Sequence, residues 1–174
     1  MILVWFKNDL RLKDHAPFIQ ALKSDRILPL VIIEPSYWEQ SYSSQRQFDF
    51  YIECILDLQS QFQLLESNLT IKVGEVIDII PNLINKYSIK TMLSYQETGT
   101  LITYDRDKDL LYWTKKNDIT WFECQQNGVV RALDNRDLWS SYWSDIMNQT
   151  IDDCPLSINS VYEESDLIPN FSNL

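Results

Sequence analysis

Glycine is scarce in this sequence: only Gly74, Gly99 and Gly128 occur among 174 residues. Because they lie far apart, neither the glycine-rich dinucleotide fingerprint nor the phosphate-binding P-loop can be present. An anionic ligand would therefore depend on helix N-termini and on Arg or Lys side chains rather than on a glycine cradle.

Histidine and cysteine are also rare. The three cysteines, Cys54, Cys124 and Cys154, lie far apart without CxxC spacing, so neither a zinc site nor a disulfide framework is predicted. A Ser–His–Asp or Cys–His nucleophile would have to use the single histidine, His15, which stands at a predicted helix start without a partner pattern. We therefore predict no catalytic residues and no metal site.

Basic charge and long apolar runs are lacking as well. The chain has 15 Lys and Arg against 25 Asp and Glu, a net charge of −10. DNA binding usually draws on a basic stripe that releases counterions, so we predict no direct DNA contact. No run approaches the about 20 apolar residues that cross a bilayer, and no basic leader precedes the apolar start MILVWF. We expect a reduced, cytoplasmic protein without a membrane segment.

What is present is an apolar fraction of 45%, enough for a packed core, and a regular alternation of strand and helix patterns. Parallel strands need crossover connections, so this alternation predicts an α/β fold. We expect a Rossmann-like, doubly wound sheet of five parallel strands with helices on both faces. The predicted strands are 2–6, 27–33, 69–73, 89–95 and 119–124, and the helices are 15–23 with Asp14 as N-cap, 44–66, 76–84 and 101–116.

The predicted sheet also locates a site. Ligands of such folds bind beyond the carboxyl ends of the strands, which here means the residues just after Phe6, Ile33, Gly74 and Tyr95. After Cys124 the alternation stops. We therefore predict an α/β domain over 1–128, followed over 129–174 by a short helix and an irregular linker.

The segment WFKNDLRLKDHAPF closely resembles the opening motif of the photolyase and cryptochrome family, W-(F/Y)-R-x-D-L-R-x-x-D-N. Two positions depart, since Lys7 replaces the usual arginine and His15 the usual asparagine. Residues 126–147 are similar to a segment of a bacterial branch of that family. The matching residues are Trp5, Asn8, Asp9, Leu10, Arg11, Leu12 and Asp14, then Ser44 and Arg46 in the long helix, then Glu97, Gly99, Tyr104, Arg106 and Asp107.

The resemblance implies the N-terminal half of a two-domain flavoprotein lyase. A helical domain, absent from this chain, would bind FAD and use light to repair pyrimidine dimers in DNA. The α/β half would hold an antenna chromophore of the deazaflavin, FMN, lumazine or folate type. The candidate pigment-binding residues are Lys7, Asn8, Asp9, Leu10, Arg11, Ile33, Glu34, Arg46, Phe50 and Glu97.

Structural roles are the alternative for several of these residues. Asp9 and Arg11 could pair with each other or cap local backbone, and Glu97 with Arg106 could hold the loop after the fourth strand. Arg131, Arg136 and Asp137 could anchor the linker to the α/β body or dock the missing domain, and we expect the structural role for all three. Trp139 and Trp143, one turn apart, are expected to pack on a helix and not to belong to an electron relay.

Three functions remain open at this stage: a photolyase domain, a domain of a cryptochrome-type light sensor without repair activity, and a stand-alone nucleotide- or protein-binding module. The expected partner is the helical FAD-binding domain. The surface that it would cover is also a candidate for self-association. Whether the chain is a fragment or a natural short protein is left open.

Overall fold

The computed structural model of the chain describes residues 1–24 and 26–174. Five parallel strands pair in the order β3-β2-β1-β4-β5, which confirms the predicted doubly wound sheet. The strands are β1 (Ile2–Phe6), β2 (Ile27–Ile33), β3 (Thr70–Val73), β4 (Thr91–Tyr95) and β5 (Thr120–Cys124), and the helices are α1 (Ala16–Ala21), α2 (Pro35–Trp38), α3 (Gln45–Leu64), α4 (Val76–Tyr87), α5 (Leu101–Lys116) and α6 (Trp139–Met147).

The central strand β1 divides the core into two layers, because successive side chains of a strand point to opposite faces. Val4 and Phe6 face a cluster that includes Phe18 of α1 and Phe62 of α3. Leu3 and Trp5 face a second cluster formed with α4 and α5, including Ile80, Met92 and Leu110. Helices therefore cover both faces, as the sequence predicts.

Two helix starts differ in how well the sequence predicted them. Helix α3 begins after Ser44, whose hydroxyl accepts a hydrogen bond from the Gln47 amide at 3.4 Å, as an N-cap should. The prediction for α1 is wrong in detail. Asp14 has a left-handed backbone (φ 54°) and lies outside the helix. His15 is the N-cap instead, since its Nδ1 accepts from the Phe18 amide at 3.1 Å.

Helices α2 and α4 differ from the helices that the sequence predicts. Helix α2 was not predicted; it starts at Pro35, a residue that suits a first turn because its missing amide would be unpaired there anyway. Helix α4 continues past the predicted end at residue 84 to Tyr87, although Pro81 lies inside it. Within the described residues, no helix is both long and apolar enough to cross a membrane.

The irregular tail covers the start of β2 and the edge strand β3. Ile27 donates its amide to Asn159 at 3.0 Å and accepts from Val161 at 2.9 Å. The Ile71 amide donates to the Ser165 hydroxyl at 3.0 Å, and the Val73 amide to the Asp166 carboxylate at 2.9 Å. An exposed edge strand is a template for aggregation, so these contacts protect β3 from pairing with another chain.

Glu163 fastens this tail to the body. It is 8% exposed and contacts Lys86 at 2.6 Å, Lys72 at 3.2 Å and the Tyr87 hydroxyl. Burial by itself would raise the pKa of Glu163, but the hydrogen bonds from Lys86, Tyr87 and Lys72 outweigh it and lower the pKa to about 2. The carboxylate is therefore held in its charged form.

We expect the attachment of the tail to weaken as the pH falls from 4.5 towards 2. A carboxyl whose pKa is lowered by folding stabilises the fold fully above its ordinary pKa of 4.5, and this contribution disappears as the pH falls towards the folded value of about 2. Hydrogen–deuterium exchange of residues 158–166, corrected for the intrinsic pH dependence of amide exchange, should show protection factors that fall over this range.

Glu163→Gln should show the fast exchange already at neutral pH and lose most of the pH dependence. Glu164→Gln is the matched control, because Glu164 is an exposed neighbour. Equal exchange in both variants at pH 7 would show that Glu163 does not fasten the tail.

Candidate functional site

A crevice lies at the carboxyl edge of the sheet, where the strand order reverses on either side of β1. Three loops that the sequence placed at this edge meet there: Lys7 and Asn8 follow β1, Glu34 follows β2 and Glu97 follows β4. The structure thus brings together residues separated by up to 90 positions. The other lining residues are Trp5, Ile32, Tyr37, Trp38, Tyr51, Thr103 and Arg106.

Arg106 of α5 is the centre of the crevice. Its guanidinium contacts Glu34, reaches Glu97 at 3.1 Å, and donates twice to one Asp107 oxygen at 2.9 and 3.0 Å. Lys7 binds the other Asp107 oxygen at 2.6 Å. We call these five residues the Arg106 cluster. It contains two cations and three carboxylates, all with side chains at most 14% exposed.

Trp5 lies against both cations of the cluster. The Lys7 ammonium is 4.5 Å from the centre of the Trp5 ring, and the Arg106 guanidinium carbon is 4.8 Å from it. A cation over an indole face is attracted by the ring quadrupole, and more strongly when water is excluded. The aromatic side chain therefore helps to hold two charges that burial would otherwise disfavour.

The charges of the cluster depend on one another. Burial raises the pKa of Glu34, and the Arg106 charge and hydrogen bond counter that rise only in part. Burial would lower the pKa of Arg106, but Glu34 and Asp107 outweigh it and raise that pKa. Burial also raises the pKa of Tyr51, which lines the same crevice and remains a neutral phenol. Arg106 therefore stays charged, and its charge keeps the pKa of Glu34 lower than burial alone would make it.

Asp9 and His15 form a separate buried pair beneath the crevice. Asp9 accepts from the Lys7 amide at 3.0 Å, and its other oxygen contacts Nε2 of the fully buried His15. The His15 Nδ1 accepts a hydrogen bond from the Phe18 amide, so the ring N–H is at Nε2. This N–H donates a hydrogen bond to the Asp9 carboxylate. His15 thus has a partner that its sequence context did not suggest, and the pair orders the loop after β1.

Several candidate residues lie away from the crevice. Arg11 donates to the Asp14 carbonyl at 2.8 and 3.2 Å, so it binds local backbone, as the structural alternative allowed, and does not pair with Asp9. Ile33 is buried in the core and Leu10 is half-buried against it. On α3, Arg46 is exposed and Phe50 is 67% exposed. Of the ten residues, only Lys7, Asn8, Glu34 and Glu97 line the crevice; ligand contact by any of them stays a prediction.

The structural alternative is confirmed for Glu97, Arg106 and Arg131. Glu97 pairs with Arg106, accepts from the Gly99 amide at 2.6 Å, and its carbonyl accepts from Arg131 at 2.7 and 3.0 Å. Arg131 also contacts Glu123 at 2.9 Å. This chain of contacts fixes the loop after β4 and ties residues after β5 to it.

Sequence reasoning missed three aromatic lining residues. Tyr37 and Trp38 lie on α2, the helix that was not predicted, and Tyr51 was counted in the apolar stripe of α3. The hydroxyl of Tyr51 within that stripe was the one available signal, because a buried phenol needs a polar neighbour. In the structure it lies 3.5 Å from the Ile32 carbonyl.

A shallower groove adjoins the crevice at Arg106, between the first turns of α4 and α5. Its volume is about 650 Å³, whereas the crevice itself encloses about 30 Å³. The groove is lined by Ser36, Gln40, Tyr42, Glu75, Val76, Ile77, Thr100, Leu101, Ile102, Asp105, Arg106 and Asp109.

No group of three His, Cys, Asp or Glu side chains suited to a metal ion occurs within the described part of the chain.

Comparison with known proteins gives a consistent result. Residues 2–137 match the sequence profile described as DNA photolyase. A chloroplastic/mitochondrial cryptochrome DASH of Solanum lycopersicum is 31% identical over 103 residues, covering 55% of this chain and 18% of that protein. Cryptochrome DASH of Gloeobacter violaceus is 29% identical over 113 residues, covering 61% of this chain and 23% of that protein.

Solved structures show the same fold at low identity. The cryptochrome of Synechocystis sp. PCC6803 has a TM-score of 0.81 at 22% identity, covering 98% of this chain and 40% of that chain. A bacterial class III photolyase of Agrobacterium tumefaciens has a TM-score of 0.76 at 19% identity, covering 99% of this chain and 37% of that chain. The chain thus spans about two fifths of these proteins.

Removing the central cation should destabilise the fold. Arg106→Met leaves three buried carboxylates with only Lys7 to compensate them, and breaking a buried ion pair costs about 3–5 kcal/mol. Urea denaturation should report a loss of that size. Arg46→Met, at an exposed site, should change the free energy of unfolding by no more than about 0.5 kcal/mol. Equal stability of the two variants would contradict a stabilising role for the cluster.

Proposed function

The chain belongs to the DNA photolyase family, and we propose that it is the α/β half of a light-driven DNA-repair flavoprotein. The observation that carries this proposal is the profile match over 2–137, the greater part of the chain. A stand-alone nucleotide- or protein-binding module gains no support from that match.

In this proposal the chain provides a scaffold and the helical domain provides the chemistry. The helical domain binds FAD and the DNA lesion, whereas the acidic α/β half, with a net charge of −10, stays off the phosphate backbone. We propose the cytoplasm as its location, a compartment in which the free cysteines Cys54, Cys124 and Cys154 stay reduced.

Members of the family bind flavin and antenna cofactors. The archaeal photolyase of Sulfolobus tokodaii, solved with two FAD molecules, is described as implying a novel light-harvesting cofactor; it has a TM-score of 0.72 at 20% identity and covers 92% of this chain and 39% of that chain. A deazaflavin, FMN, lumazine or folate pigment would serve the FAD of the helical domain by excitation transfer. The protein would then supply binding, orientation and exclusion of water.

A blue-light sensor without repair activity is the second candidate. What favours it is that relatives of similar sequence, such as those of Solanum lycopersicum and Gloeobacter violaceus, carry the name cryptochrome. The two functions differ in whether the excited flavin gives an electron to a pyrimidine dimer, an event in the helical half.

The full-length parent protein should repair cyclobutane pyrimidine dimers in DNA under blue light. Loss of dimers from an irradiated oligonucleotide, followed by chromatography, measures this. A dark sample and the 174-residue chain alone should both be inactive, because neither has an excited flavin. A parent protein that holds reduced FAD and leaves the dimers intact in the light would support the sensor instead.

The surface of α6 is the part of the chain that we expect the helical domain to cover. Every residue of this helix is at least partly exposed, including Trp139, Tyr142 and Trp143 at 43% and Met147 at 48%. The rings of Trp139 and Trp143 lie 6.3 Å apart and are tilted by 37°, and the Trp139 indole donates to the Gly128 carbonyl at 2.8 Å. An apolar face of this kind is typical of a protein interface, and the relatives have further chain to cover it.

Without the helical domain, this apolar face should cause self-association. Sedimentation velocity of the isolated chain should show dimers or larger species whose share rises with protein concentration. Tyr142→Lys should shift the chain towards monomer, because it places a charge in the face. Tyr112→Lys, at an equally aromatic site on α5 that is 71% exposed, should leave the association unchanged. Concentration-independent monomer for the unmodified chain would contradict this expectation.

A further inference from the structure

We propose that this chain holds no antenna pigment in the crevice beside β1, because the Arg106 cluster occupies the space that a pigment ring would take. The proposal rests on the family assignment, because that assignment is the reason to expect a pigment at all. Its evidence is the set of side-chain contacts within this chain. It concerns the crevice alone, so it holds for a repair enzyme and for a light sensor equally.

The crevice beside β1 is too small for a pigment ring. The space in the crevice that is open to water-sized spheres is about 30 Å³, room for about two water molecules. Sites for drug-sized ligands and cofactors have volumes of about 300–1,000 Å³. A three-ring pigment can enter only if the charged side chains leave.

Buried ion pairs hold the side chains that fill the crevice in place. Arg106 holds Glu34, Glu97 and Asp107 at once, and their side chains are 7–8% exposed. Moving Arg106 aside leaves buried carboxylates unpaired, and an unpaired buried charge is far less stable than a paired one. A neutral pigment ring offers no replacement for the guanidinium, so it cannot compensate for this separation.

Neither cation of the crevice is free to bind the anionic part of a pigment. The two cations, Lys7 and Arg106, are both paired with carboxylates, so a phosphate tail of FMN or FAD would meet a cluster with one more negative than positive charge. Both cations also lie against the Trp5 ring, the aromatic surface nearest to the cluster. Neither pairing with these cations nor stacking on Trp5 is available to a ligand until the cluster breaks.

Equilibrium dialysis of the full-length, FAD-loaded protein tests the proposal. The probes are FMN, 8-hydroxy-5-deazaflavin, a ribityl-lumazine and methenyltetrahydrofolate, each with wild-type protein and with Asn8→Trp. Asn8 is exposed at the rim of the crevice, so an indole there would block the entrance without touching the core. Tyr112→Trp, on an exposed part of α5, is the matched control.

We expect no probe to lose affinity through Asn8→Trp. Either none binds, or one binds elsewhere with the same affinity in all three proteins; both results support the proposal. Saturable binding that Asn8→Trp weakens about tenfold or more, and Tyr112→Trp does not, would overturn it. Equal FAD content and melting temperature in the three proteins exclude misfolding as the cause.

A crystal structure of the protein grown with each probe gives a second, independent test. A pigment ring in contact with Trp5, between the loops after β1 and β4, would overturn the proposal whatever the dialysis shows. An unbroken Arg106–Glu34 and Arg106–Glu97 pairing would support it. Failure of the proposed function is recognised separately, because it shows as a lack of dimer repair and not as a change in pigment binding.

Discussion

The ion pairs of Arg106 are the interaction on which the carboxyl edge of this domain depends. Glu34 follows β2, Glu97 follows β4, and Asp107 reaches Lys7, which follows β1. One guanidinium on α5 therefore ties together the loops on both sides of the point where the strand order reverses. A five-donor planar cation can do this, whereas a single ammonium could not satisfy three carboxylates in such different directions.

This constraint links the fold to the function. In an open parallel sheet, the reversal of strand order creates a crevice that many relatives of this architecture use for ligands. Here the same crevice is closed by charged side chains over the Trp5 ring. The domain thereby gains an edge held by buried ion pairs, at the expense of open space in the crevice.

Two other surfaces of the domain differ in whether they are covered. The tail, held by Glu163 on Lys72 and Lys86, closes the β3 edge of the sheet. The face of α6, with Trp139 and Trp143, stays apolar and exposed. One side of the domain is therefore protected from further pairing, and the other presents a surface suited to a partner.

The sequence by itself determined the sheet, its four longer predicted helices and the family, because hydrophobic period and ordered motifs are local signals. It missed the short helix α2 and gave the wrong N-cap for α1. It also indicated the right edge of the sheet for the crevice. Only the tertiary structure decided which side chains meet there: Arg106 with Glu34 across 72 positions, and Asp9 with His15 in place of Arg11. Whether that edge is open or filled depends on long-range packing and on the pairing of buried charges, and no local pattern encodes either.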